Sequence, residues 1–145
     1  MPVKIQVKNL TKIFGRNPKA VLEKVKAGES KEQILRESGH TVGAYGASFE
    51  IYEGEIFVIM GLSGSGKSTL IRCLNLLNRP TAGQILVDGK DITEFSGQEL
   101  REFRQRKVAM VFQNFGLLTH RTVLANVEYG LEVRGVPKAR RREIA

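Results

Sequence analysis

The sequence predicts an α/β fold, on three observations. Ile56-Phe57-Val58-Ile59-Met60 is a near-continuous apolar run, as expected of a strand buried on both faces of a parallel sheet. It enters Gly61-Leu62-Ser63-Gly64-Ser65-Gly66-Lys67-Ser68-Thr69, which has the spacing G-x-x-x-x-G-K-[ST]. Leu70, Ile71, Leu74 and Leu77 then recur at helical spacing, so a helix starts near Lys67. A second apolar run, Val108 to Phe112, reads as another central strand.

The residue types in the loop dictate its chemistry. Glycines reach backbone conformations closed to other residues and let the main chain approach a ligand. Successive N–H groups then point inward as an anion nest, and the helix N-terminus adds donors and partial positive charge. Lys67 can reach β- and γ-phosphates as a mobile point charge. Ser68 can place its hydroxyl on Mg²⁺, and Thr69 can bond the α-phosphate. A glycine-rich turn without a ligand is the bland alternative, and the strand-loop-helix context argues against it.

Taken in order, the chain opens on Val3, Ile5 and Val7 alternating with Lys4, Gln6 and Lys8, a half-buried strand that Leu10, Ile13 and Phe14 extend. Gly15 to Pro18 breaks it. Asn17 is expected to cap a short helix with Pro18 at its first position and Gly28 at its end. Ser30-Lys31-Glu32-Gln33 predicts a capping box for a second short helix ending at Gly39. Residues 18–39 therefore read as a helical insertion, either docking on a partner or packed on its own domain. Thr41 to Gly46 reads as loop, and Ala47, Phe49 and Ile51 as a second strand. Ile85-Leu86-Val87 and Ile92 flank an Asp88-Gly89 hairpin turn. Ser96-Gly97-Gln98-Glu99 predicts another capping box and a helix through about Arg106. The Val108–Phe112 strand would deliver Gln113 at its carboxyl end, where open parallel sheets hold ligands. Gln113 there either touches Mg²⁺ and water or simply ends the strand in solvent. A loop with Phe115, Leu117 and Leu118 follows, then a helix capped by Thr122, and another begun by Lys138.

The totals bound the answer. At 145 residues and 41% apolar content, one domain with a core is expected. The net charge of +8 suits nucleic acid, acidic lipid or phosphate, or a piece of a more acidic whole. The basic residues are spread over several elements without a reading motif, so nucleic acid is not an expected partner. The single cysteine, Cys73, reads as a buried small hydrophobe in a reducing compartment. No run approaches the roughly 20 apolar residues of a membrane span. The first residues lack the apolar core of a signal peptide.

Together, Val7-Lys8-Asn9-Leu10-Thr11-Lys12-Ile13-Phe14-Gly15, the Gly54–Met60 stretch into the loop, Leu100-Arg101-Glu102-Phe103-Arg104 and Met110-Val111-Phe112-Gln113 resemble the nucleotide-binding subunit of an ATP-binding-cassette (ABC) importer. The insertion around Ser30–Leu35 resembles the glycine betaine/L-proline (quaternary amine) uptake branch in particular. The resemblance implies a P-loop NTPase fold, here its N-terminal part: residues 1–145 as an incomplete domain, 18–39 as insertion, 55–113 as the core from Walker A to the Q-loop, and 114–145 as the start of the helical subdomain. An antiparallel β subdomain accompanies that core.

The resemblance further implies ATP and Mg²⁺ as cofactors. Gly61, Ser63, Gly64, Ser65, Gly66, Lys67, Ser68 and Thr69 would bind nucleotide, and Phe14 would stack on adenine, with Tyr45 as the rival ring. Ser68 and Gln113 would meet the metal, and Lys67 and Gln113 would be the catalytic residues this stretch supplies. The implied partners are a transmembrane permease, facing Phe115, Leu117 and Leu118, and a second copy of the subunit. The implied location is peripheral, on the cytoplasmic face of the membrane. No apolar strand ending in Asp-Glu and no Leu-Ser-Gly-Gly-Gln signature follows, so the sequence is expected to stop before Walker B and not to hydrolyse ATP alone. The rival readings are a small-molecule kinase and an inactive fragment that binds nucleotide or permease.

Overall fold

The computed structural model describes all 145 residues. They form two compact units, Met1–Phe95 and Ser96–Ala145.

The first unit is built on a four-stranded antiparallel sheet. Its strands are β1 (Val3–Phe14), β2 (Thr41–Tyr52), β3 (Ala82–Val87) and β4 (Lys90–Asp91), ordered β2-β1-β3-β4. β1 is central because it pairs on both sides, Val7 with Phe49 of β2 and with Ile85 of β3. The expected alternation holds where it matters: Val7, Leu10, Ile13 and Ile85 are buried. Asp88 and Gly89 both have positive φ (50° and 76°), the geometry of a type I′ hairpin turn, as the Asp-Gly pair predicts.

Between β1 and β2 the chain makes a 3₁₀ turn (Pro18–Val21), α1 (Leu22–Lys26) and α2 (Lys31–Ser38). Their apolar residues Val21, Val25 and Ile34 close on Ile13 and Val42, with Leu22 against the cluster. The insertion is thus packed on its own domain. Gly39, at φ 68°, ends α2 in a left-handed cap.

Several local expectations fail for identifiable reasons. Thr41–Gly46 is strand, not loop. Phe14, Ile13 and Lys12 of β1 pair with Thr41, Val42 and Ala44, and this ladder overrides the weak strand signal of two glycines. Asn17 makes no side-chain cap, its backbone standing at φ −137°, ψ 76°. The Ser30 box is half formed. Ser30 Oγ accepts from Gln33 N at 3.1 Å, but the Gln33 amide donates to Glu37 Oε1 at 3.0 Å.

The larger corrections concern the two apolar runs. Ile56–Met60 forms no strand, and Ile56 and Met60 are 90% and 85% exposed. Val108–Phe112 forms none either, with Val111 93% exposed. A parallel strand is held by ladders to neighbours reached through long crossovers. No strand of this chain pairs with either run. The apolar pattern is real, but the hydrogen bonds that convert it to a buried strand are not made within these residues. Phe57 stacks on Phe49 with ring centroids 4.9 Å apart.

The second unit is helical: α4 (Gly97–Arg106), α5 (Val123–Val133) and α6 (Lys138–Ile144). α4 carries the expected capping box in both directions, Glu99 N to Ser96 Oγ and Ser96 N to Glu99 Oε2. Leu100 and Phe103 are buried beneath it. Thr122 Oγ1 caps α5 by accepting from Ala125 N at 3.2 Å. The Asn126 side chain closes the turn before α5, its Oδ1 accepting from Leu118 N at 2.8 Å and its Nδ2 donating to Leu118 O at 3.1 Å. Glu128 is buried near Arg141 and Arg142, each with Nε 3.7 Å from a carboxylate oxygen. Phe115, Leu117, Val123 and Val127 are exposed around an open groove of about 540 Å³.

Candidate nucleotide site

The glycine loop sits in the first unit and ends in α3 (Lys67–Leu74), as its sequence predicts. Ser65 N donates to Leu62 O at 3.2 Å, which closes a tight turn at the loop tip. Gly64 and Gly66 have φ of 77° and 98°, and this backbone path is why glycines stand there. Gly66 is also the N-cap of α3, and no side chain caps that terminus. The first-turn N–H groups therefore remain donors for a ligand. Lys67 Nζ folds back over the loop and donates to Gly61 O at 2.8 Å and Leu62 O at 2.7 Å. Its ammonium stands at the loop's mouth, held by two carbonyls that are weaker acceptors than phosphate oxygens.

The loop is anchored from behind. Any Cβ at Gly66 would collide with the carbonyl oxygen of Gly43 on β2, so the loop's last residue rests directly on strand backbone. Cys73 on α3 is fully buried, and burial pushes its thiol up to about 11, slightly offset by the charge of Lys12. It stays protonated and packs as a small hydrophobe.

The other predicted residues fall as follows. Ser63, Gly64, Ser65 and Ser68 are exposed around the loop, and Thr69 is half-buried on α3. Phe14 ends β1, 38% exposed, with its ring edge against Gly43 beside Thr69. Of the two aromatic candidates, Phe14 and not Tyr45 is the ring at that junction. Lys12 Nζ lies 4.9 Å over the Phe14 ring, a cation–π contact. Gln113 lies in the second unit, exposed and outside any strand, because the strand expected to deliver it does not form. Gly43 and Lys12 were not singled out by sequence. Gly43 lies in the Thr41–Gly46 stretch that reads as loop, so nothing in the sequence set it apart. His40 Nδ1 bonds Ser38 O at 2.8 Å, and its ring rests on Gly15.

These residues fit a polyphosphate. Positive-φ glycines, an uncapped helix start and a lysine ammonium converge within nine residues. The chain has no cluster of three or more His, Cys, Asp or Glu able to cage a metal. Ser68 on the first turn of α3 suits Mg²⁺, which is typically held by substrate phosphates and few protein ligands.

The family model described as ABC transporter matches residues 45–145. The chain is 54% identical over 144 residues to the glycine betaine transport ATP-binding protein OpuAA of Bacillus subtilis (strain 168), covering 99% of this chain and 34% of that protein. It is 54% identical over 145 residues to the glycine betaine/proline betaine transport system ATP-binding protein ProV of Escherichia coli (strain K12), covering 100% of this chain and 36% of the relative. It thus spans about a third of the length of the curated relatives it matches. Among solved structures, a dimeric form of the bacterial ABC transporter cassette MJ0796 superimposes with a TM-score of 0.75 at 29% identity, over 96% of this chain and 53% of that one. A post-hydrolysis dimer of the same cassette, bound to ADP and Pi, gives 0.74 at 30% identity. With the family model covering residues 45–145, the glycine loop among them, the chain belongs to the ABC transporter family.

Proposed function

We propose that the chain is the nucleotide-binding part of an ATP-binding, energy-coupling subunit of an ABC importer for glycine betaine/proline-type osmoprotectants. The observation that carries the nucleotide reading is the 61–69 loop, whose glycine conformations and Lys67 placement form a phosphate cradle. The solute class rests on the printed names of the relatives at 54% identity.

In this reading Lys67 Nζ exchanges the carbonyls of Gly61 and Leu62 for β- and γ-phosphate oxygens. The backbone donors of residues 64–68 hold the rest of the polyphosphate. Ser68 Oγ offers a ligand to Mg²⁺, and Phe14 offers a face to adenine. Mg²⁺ held there would supply charge neutralisation of the phosphates. Gln113, in the second unit, would link nucleotide state to a permease, and residues 114–145 would begin the subdomain that meets it. The exposed Phe115, Leu117, Val123 and Val127 favour a protein partner on that unit. A second copy of the subunit is the other proposed partner, since the MJ0796 cassette is solved as a dimer. No helix here is long and apolar enough to cross a membrane. Membrane attachment on the cytoplasmic face would then run through the permease.

The test is binding of a fluorescent ATP analogue with Mg²⁺ to the purified chain. Lys67→Ala removes charge-assisted hydrogen bonds worth about 1.5–3 kcal/mol, so affinity should fall roughly 10- to 150-fold. Equal affinity in both proteins would take Lys67 out of the site and the reading with it.

A further inference from the structure

We propose that Gly43 is a positioning residue for the base side of the nucleotide site, which goes beyond the loop itself while resting on the nucleotide reading above. Three observations meet at this residue. It is the extra residue of a β-bulge: Lys12 pairs with Ala44 and Ile13 with Val42, leaving Gly43 between them on β2. Its carbonyl oxygen is the surface on which Gly66 of the phosphate loop rests. A methyl carbon built on its Cα would lie 2.7 Å from Phe14 Cε2 and 2.9 Å from Thr69 Cγ2.

The requirement is for space, not for conformation. Gly43 is not among the glycines with left-handed φ, so alanine there meets no backbone penalty. What alanine meets is the edge of the Phe14 ring and the methyl of Thr69. Thr69 can turn its side chain about one bond. The Phe14 ring is also engaged by Lys12, whose Nζ lies 4.9 Å over it. A methyl at position 43 would therefore push the ring out of its place at the end of β1. Bulges commonly re-aim a side chain next to a functional site, and this one brings the aromatic ring, the helix after the loop and the last loop residue to one point. Gly43 thus couples the place where a base would stack to the place where phosphates bind, without touching either ligand group itself.

The experiment is calorimetric titration of the chain with Mg·ATP and with Mg·tripolyphosphate, which has phosphates and no base. Gly43→Ala should weaken Mg·ATP about tenfold more than Mg·tripolyphosphate, the size of one lost base–aromatic stack. In a Phe14→Ala background the same substitution should cost nothing further, because the group it displaces is gone. If Gly43→Ala alone does not fold, Phe14→Ala should restore folding by removing the obstruction. Equal weakening of both ligands, additive losses with Phe14→Ala, or a misfolded variant that Phe14→Ala does not rescue would each overturn the proposal. A wild-type chain that binds neither ligand would overturn the nucleotide reading instead, a separate and recognisable result.

Discussion

Gly66→Ala is expected to weaken Mg·ATP binding by at least about thirtyfold. Gly66 stands at φ 98°, a conformation that costs an L-residue roughly 1–2 kcal/mol. Its missing Cβ is also the room occupied by the Gly43 carbonyl. That contact is backbone against backbone, so no rotamer relieves it, and the loop or β2 must move. Overpacking of this kind costs typically about 1–3 kcal/mol, and here it falls on the N-cap of α3. The two costs act on the same few atoms that would hold the phosphates. Titration with a fluorescent ATP analogue checks the prediction, with circular dichroism confirming that the sheet persists. Affinity within a few-fold of wild type would mean that the loop does not depend on its seat on β2.

Ile34→Ala should be the most damaging core change in the insertion, at about 2–5 kcal/mol of stability. Ile34 is 1% exposed and closes on Ile13, Val21, Val25 and Val42. Its neighbours come from β1, the 3₁₀ turn, α1 and β2, so four segments lose a shared contact at once. Leu35, next to it, is half exposed and makes the natural control: Leu35→Ala should stay within about 0.5 kcal/mol. Urea unfolding of both variants separates a packed insertion from a docking one. A small effect of Ile34→Ala would show that α2 is held by something other than this cluster.

The same cluster illustrates what sequence could and could not say. The caps and breaks of residues 18–39 predicted two short helices, but not whether they met a partner or their own strands. That choice is made by Ile13 and Val42, far from α2 in sequence and brought together only by β1–β2 pairing. Local signals with a local cause were legible: the Asp88-Gly89 turn, the Ser96–Glu99 box, the Thr122 cap and the start of α3 at Lys67. Signals that need a distant partner were not. Ile56–Met60 and Val108–Phe112 have the composition of parallel strands, yet a parallel strand exists only with its neighbours. Thr41–Gly46 erred the other way, since pairing to β1 made a strand of a stretch that looked like loop.

The site divides along the same line. The residues of the proposed phosphate cradle are contiguous, so their spacing alone pointed to them. Phe14 was found by resemblance, and its place beside Thr69 follows from β1 lying against β2. Gly43 could not have been singled out, because its importance is the absence of a side chain at a three-way contact. The strand expected to aim Gln113 does not form, and the residue lies exposed in the second unit.

The most direct measurement of the central claim is amide hydrogen exchange across residues 61–69, with and without a non-hydrolysable Mg·ATP analogue. If the loop's backbone is the phosphate cradle, amides from Gly64 to Thr69 should gain protection on ligand addition, and Lys67→Ala should largely erase that gain. Saturating ligand that leaves these amides unprotected, or protects another segment instead, would contradict the account.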